Sequence, residues 1–240
     1  MAHPPPFAPP RNRLLASLPP EALARLLPRL SPVALSTRQV LYPPHAPIDA
    51  AYFPESGMVS MLANLDEGAQ VEVGVVGCEG VLGTPLLAGA ETSFAECMVQ
   101  LPGTALRMGA GAFRAELEAN PPLRALLLRY GEALQAQVMQ TAACNGRHGL
   151  EQRLARWLLV ARDRAEGDEL PLTQDFVAMM LGVHRPSVTV TAGILQRAGL
   201  IRYASGHITL LDRPGLEAAA CECHGAVRQR FAALLGQAAS

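Results

Sequence analysis

Between positions 184 and 202 the sequence places His184, Arg185, Ser187, Thr189, Thr191 and Arg202. This set of cations and short hydroxyls is suited to phosphate oxygens and nucleic-acid base edges. An arginine fork matches two acceptors of guanine, and serine or threonine serves several bases. A second concentration of reactive types is Cys221-Glu222-Cys223-His224, since thiolates and imidazole suit a soft metal. Ligands at adjacent and next-adjacent positions of one helix do not converge on one ion, so the run reads as a surface cluster and no metal site is expected. His45, His148, His184 and His207 are dispersed and show neither triad nor metal spacing. With no Walker loop, dinucleotide fingerprint or nucleophile elbow, no catalytic residue is assigned and the chain is not read as an enzyme. The third concentration is the glycine-rich corner Gly77–Pro85. Its Gly80, Val81, Leu82 and Gly83, with Thr92 and Ser93 further on, form a candidate ligand pocket, because glycine turns offer N–H groups to an anion. Glycines that merely serve barrel corners explain the same residues equally well.

The elements that must position the first set run from Leu172 to Tyr203. Phe176, Val177, Met179 and Met180 mark the apolar side of one short helix, and Gly182 supplies the left-handed residue that stops it. A second helix starts near Arg185 with Pro186 in its first turn, where a missing N–H costs nothing. Val188, Ala192 and Leu195 recur at helical spacing and are expected to face inward, leaving Arg185, Ser187, Thr189 and Thr191 outward. Two helices about a glycine turn are the helix-turn-helix pattern. The strand pair expected at Gly199–Tyr203 and Ile208–Leu211, about the Ser205-Gly206-His207 turn, adds a wing.

The remainder divides into three stretches. Residues 1–12, rich in proline, read as a disordered lead-in without the charged and apolar regions of a secretion signal. Residues 13–119 give short helical pieces to Leu30. Seven strand-like runs follow, at 33–35, 40–42, 51–53, 58–63, 71–76, 94–101 and 105–108, separated by Pro, Gly, Asp and Glu turns. That rhythm argues a β-sandwich or jelly-roll barrel, and a small barrel beside a DNA-binding unit suggests a sensor domain. Residues 120–146 form one long helix capped by Asn120. Its Leu123, Leu127, Tyr130, Leu134, Gln137 and Thr141 recur in steps of four and three, a seam expected to face a second copy of the chain. Packing of the same helix on its own barrel is the competing reading, with Leu126, Leu128 and Val138 as a second apolar side. Residues 147–240 hold the winged unit, opening with the amphipathic segment Leu150–Leu159. There Trp157, the sole tryptophan, is expected in the core.

Formal net charge is −1, so no global polycation announces nucleic acid, but Arg147, Arg153, Arg156, Arg162 and Arg164 concentrate charge ahead of the helix pair. That run is expected to contribute a phosphate-binding face. Five scattered cysteines fit reduced thiols in a cytoplasm, and no apolar run approaches the roughly 20 residues of a membrane span.

The segments YFPESGMVSM (52–61), VGCEGVLGTP (76–85), NGRHGLEQRLARWLL (145–159) and TQDFVAMMLGVHRPSV (173–188) together resemble the Crp/Fnr family of bacterial transcription regulators. The resemblance implies an α+β fold: a cyclic-nucleotide-binding-like jelly-roll barrel, a long dimerisation helix and a C-terminal winged helix-turn-helix. It implies a homodimer on a palindromic operator in double-stranded DNA, acting with RNA polymerase. Arg185 falls where the family places a base-reading arginine. Pro186 stands where glutamate is common, and Val190 replaces a second arginine. Cyclic-AMP-binding members carry Gly-Glu in the corner and Arg-Ser after it. Here the corner reads Gly80-Val81, and Ala90–Phe94 holds Glu91 but no arginine, so cyclic AMP is not the expected effector. No cysteine precedes Cys78, so the N-terminal Fe–S cluster of another branch is not expected either. No cofactor is assigned and any small-molecule effector is left unidentified. A different class of reading keeps the barrel as a ligand- or protein-interaction module whose winged helix makes protein contacts.

Overall fold

The computed structural model describes residues 9–236. Two short helices open it, α1 (Arg13–Ala16) and α2 (Pro20–Leu26), followed by a 3-10 turn at Leu27–Arg29. Of the expected disordered lead-in, residues 1–8 lie outside the described part. Its end is ordered: Asn12 is buried, caps α1 by accepting from the Leu15 N–H, and donates to the carbonyls of Pro54 and Gly80. A buried amide with all these partners pins the chain to the barrel, so the boundary falls before residue 12.

The barrel has seven strands. They are β1 (Ser31–Leu35), β2 (Val40–Tyr42), β3 (Ala50–Pro54), β4 (Met58–Asn64), β5 (Gln70–Val76), β6 (Glu96–Leu101) and β7 (Gly103–Gly109). Each coincides with one of the expected runs. They form two antiparallel sheets, ordered β1-β7-β3 and β2-β6-β4-β5. The jelly-roll arrangement thus brings strands distant in sequence together, as in the pairing of Tyr52 with Arg107. Between the sheets lies a core that includes Tyr42, Phe53, Val59 and Val99. A short helix α3 (Thr84–Leu87) follows the glycine corner, and α4 (Ala110–Ala119) leaves the last strand.

Helix α5 (Pro121–Arg147) starts where the Asn120 side chain accepts from the Leu123 N–H at 3.3 Å. The seam expected to face a second subunit does not do so. Leu123, Leu127, Tyr130 and Leu134 are buried in this chain's own barrel core, and the Gln137 Oε1 accepts the Val75 N–H at 2.7 Å. Thr141, also buried, continues the same inward face. The competing reading therefore holds for these six residues. A barrel that opens its apolar core toward the helix draws in the strongest apolar stripe. What α5 leaves exposed is a different stripe, with Leu128 at 54% and Met139 at 59% exposure.

Beyond it come α6 (Leu150–Arg162), β8 (Glu169–Leu170), α7 (Gln174–Leu181), α8 (Arg185–Arg197), β9 (Ile201–Ala204), β10 (His207–Leu210), α9 (Arg213–Ala219) and α10 (Cys223–Leu234). The last three strands form one antiparallel sheet in the order β8-β10-β9, of which β8 had no signal in the sequence beyond two residues. Trp157, Leu158, Phe176, Val188 and Leu195 share a second core with Met58, Leu62, Val75 and Met98 from the barrel. That shared core packs the C-terminal unit on the β2-β6-β4-β5 sheet. Helix α10 turns back onto α5, where the Phe231 and Tyr130 rings lie 6.2 Å apart. No helix among the described residues is long and apolar enough to cross a membrane.

Candidate nucleic-acid interface

Helix α7 begins at Thr173, whose hydroxyl oxygen accepts the Phe176 N–H at 3.3 Å, and ends at Gly182 in the left-handed conformation, φ +63°. A Cβ at Gly182 would also lie 2.9 Å from the Val71 side chain, so conformation and space both require glycine there. The turn delivers His184 as the N-terminal cap residue of α8, with Pro186 in the first turn. The His184 side chain makes no capping bond. The helix N-terminus, its partial positive charge and the imidazole therefore face outward together.

Val188, Ala192 and Leu195 are buried as expected, while His184, Arg185, Ser187 and Thr189 are exposed. Thr191 is not. It is 7% exposed and its hydroxyl donates to the Ser187 carbonyl at 2.8 Å. Three residues after Val188, it has rotated onto the inner face, so its place among the outward residues is corrected. Val190, 64% exposed, takes the outward position instead. Thr189 donates to the Gln174 Oε1 at 2.6 Å, which orients both side chains at the junction of α7 and α8. Gln174 was missed because its role depends on the fold of the helix pair. Arg185 meets Asp175 at 3.5 Å with both side chains mostly exposed. An exposed pair of this kind contributes about 0–1 kcal/mol, so it is easily exchanged for another acceptor.

The wing turns at Ser205 (φ +50°) and Gly206 (φ +78°), the two positive values of a type I′ hairpin. Arg202, exposed on β9, pairs in the ladder with Thr209. The upstream arginines behave differently from expectation. Arg164 donates twice to Glu79, at 2.6 and 3.1 Å, and Arg162 donates to Asp168 at 2.5 Å. Arg153 donates to the Leu181 carbonyl, and Arg156 is buried. These four hold the C-terminal unit together or to the barrel. They are not a phosphate face; Arg147 alone of that run is exposed. Burial alone would disfavour the Arg164 charge, but the Glu79 carboxylate outweighs it and holds the guanidinium protonated.

The glycine corner divides between two tasks. Val81, Leu82, Gly83 and Ser93 line a cavity of about 340 Å³ inside the barrel, with Tyr42, Met61 and Leu134 among the other walls. Gly80 does not line it, because a Cβ there would lie 2.3 Å from the Tyr130 hydroxyl; the glycine lets α5 approach. Thr92 is exposed and bridges to Pro47. Its place in the pocket is corrected. The lining described carries no cation. A second cavity, also about 340 Å³, lies between barrel, α6 and α10 and is polar: Arg13, Glu72, Glu79, Gln137, Arg156 and Asp163 contribute. Sequence spacing gave no hint of it, since its walls come from six separate segments. Trp157 is buried as expected, yet it also forms part of this wall and donates to the Glu72 Oε1 at 2.9 Å.

A jelly-roll barrel joined through a long helix to a winged helix-turn-helix defines an architecture, a β-barrel domain followed by a winged-helix domain. Within that architecture, residues 152–219 match the family model of the Crp-like helix-turn-helix domain. The chain has the Crp/Fnr fold, as the sequence resemblance implied. The structure of FixK2 from Bradyrhizobium japonicum superimposes with a TM-score of 0.68 at 15% identity, covering 80% of this chain and 98% of that one. A CRP/FNR-family transcriptional regulator from Thermus thermophilus gives 0.63 at 24% identity, covering 79% and 98%. The c-di-GMP-responsive global regulator CLP from Xanthomonas campestris gives 0.63 at 18%, covering 80% and 99%. No curated protein sequence matches the chain significantly.

Proposed function

We propose that this chain is a sequence-specific DNA-binding transcription regulator of the cytoplasm that acts as a homodimer. The observation that carries the reading is the exposed first turn of α8. The start of α8 presents Arg185, Ser187 and Thr189, the helix N-terminus is uncapped by a side chain, and the wing adds an exposed Arg202. An α-helix enters the major groove by such a face. Arg185 reads one base, a contact contributing about 1–3 kcal/mol of discrimination when bidentate to guanine. His184 and Arg202 meet phosphates, and Val190 offers an apolar contact where a polar one was expected. RNA polymerase is the partner on which the bound dimer acts.

The dimer is formed by the exposed stripe of α5 that contains Leu128 and Met139. A dimer places two recognition helices on half-sites about 34 Å apart. The barrel cavity, lined mainly by apolar side chains and the hydroxyls of Tyr42, Thr84 and Ser93, suits a small apolar effector better than a cyclic nucleotide. An anionic phosphate buried there would lack a counter-charge.

Selection of bound sequences from a random DNA pool tests the reading. The expected outcome is a palindromic consensus whose preference at one base pair per half-site relaxes in Arg185→Ala. A wild-type protein that selects no sequence, at low as well as moderate salt, would overturn it.

A further inference from the structure

Four side chains that spacing kept apart converge behind the helix-turn-helix. Cys144 and His148 lie one helical turn apart at the C-terminal end of α5 and face Cys221 and Cys223, which flank the start of α10. One ligand atom from each lies within 4.8 Å of every other. Cys144 Sγ is 3.5 Å from Cys221 Sγ, and Cys223 Sγ is 3.6 Å from His148 Nδ1. Around a tetrahedral zinc ion with Zn–S of about 2.3 Å and Zn–N of about 2.0–2.1 Å, the S···S and S···N edges come to about 3.8 and 3.5 Å. Two edges already stand close to those lengths.

The surroundings suit an ion as well. His148 Nε2 lies 3.3 Å from the Glu222 Oε1, the carboxylate–histidine pairing that leaves Nδ1 to coordinate. Gln140 Nε2 donates to Cys223 Sγ at 3.0 Å. Arg153 and Arg156 on α6 carry buried Nε atoms without a hydrogen-bond partner among the described residues, and the charges of both act on Cys144. The objection to the 221–224 run does not apply. Cys221 precedes α10 instead of lying on it, and His224 turns away to Asp163 at 2.9 Å. All three thiols are buried, so they are no surface cluster.

We propose that Cys144, His148, Cys221 and Cys223 form a closed tetrahedral S₃N site for one zinc(II)-class ion, which clamps the α5–α6 junction to the start of α10. Binding expels three thiol protons to solvent and leaves a complex of one net negative charge, which Arg153 and Arg156 balance. A Cys144–Cys221 disulfide would use only two of the four groups and would leave the His148–Glu222 pair without a purpose.

The test is titration of the reduced, metal-stripped full chain with cobalt(II), followed by zinc(II). The expected result is one cobalt per chain, with the intense ligand-field bands of tetrahedral geometry and a thiolate charge-transfer band, both bleached by zinc. Zinc should also raise the melting temperature. Cys223→Ser should abolish these signals and Glu222→Ala should weaken zinc binding by about tenfold or more, while Cys78→Ser leaves both unchanged. If Cys223→Ser fails to fold by circular dichroism, His148→Ala, at a partly exposed position on the helix end, carries the same test. Absence of cobalt uptake by the reduced wild type, an octahedral spectrum, or uptake that survives both variants would overturn the proposal. The site stands apart from the DNA-binding reading above: zinc uptake by a protein that selects no DNA in either state would overturn that reading and leave the site standing.

Discussion

Glu72 shows how much one buried residue carries that its neighbours in sequence do not announce. It lies on β5 facing α6, where its carboxyl accepts from Ser60 at 2.7 Å and from Trp157 at 2.9 Å. Burial pushes its pKa up to about 7, against the pull of those hydrogen bonds and of Arg156 and Arg164. A folded pKa above the unfolded value of 4.5 means that the fold prefers the protonated form. The stability this contributes is complete below about pH 4.5 and is lost as pH rises through about 7. Glu72→Gln, neutral at every pH, should therefore flatten the fall in stability across that window and be more stable above it, by an amount on the order of 3 kcal/mol. Urea denaturation at a series of pH values measures this, and an unchanged slope would remove Glu72 as its source. At the same scale, Thr191 and Thr189 differ by two positions and by everything that matters for recognition. A step of about 200° around the helix turns one toward solvent and the other into the core.

At the scale of elements, α5 carries the principal lesson. Its apolar seam was legible in the spacing of Leu123, Leu127, Tyr130 and Leu134, but a seam does not say which surface it meets. The barrel opens its core on that side, and burial against an apolar wall within the chain requires no second molecule. The dimer face proposed above is consequently the weaker stripe. Leu128→Glu combined with Met139→Glu should convert the dimer to a monomer in sedimentation while leaving the melting temperature within a few degrees, because both side chains are already exposed. A dimer that survives both changes would place the interface elsewhere. The helix-turn-helix, by contrast, was readable at its turn, where α7 stops at Gly182 and α8 starts at Arg185. Its signals are local: a threonine cap, a glycine at φ +63° and a proline in the first turn of α8.

At the scale of the whole molecule, barrel and C-terminal unit share a core and an ion pair. Glu79 leaves the corner to meet Arg164 at the end of α6, and both side chains are almost fully buried, 8% and 9% exposed. Gly77 permits the approach, since a Cβ there would lie 2.8 Å from the Arg164 Cδ. Removing one partner leaves a buried charge unpaired, a loss of about 3–5 kcal/mol. Arg164→Met should accordingly lower global stability by that order and separate the unfolding of the barrel from that of the winged unit in calorimetry. A single transition at the wild-type temperature would show that the apolar contacts alone hold the two together.

The barrel strands, the long helix and the helix-turn-helix could all be read from the residues alone, because strand alternation, turn residues and caps act over a few residues and are written in neighbouring letters. The outward Arg185 could be read there too. It took the folded chain to show that the arginines from 153 to 164 point inward or into ion pairs, that the α5 seam faces inward, and that Cys144 and His148 meet Cys221 and Cys223 from the far end of the C-terminal unit. Those outcomes depend on which surfaces come within a few ångströms after folding. A pattern of spacing along one element holds no information about the element that will lie against it.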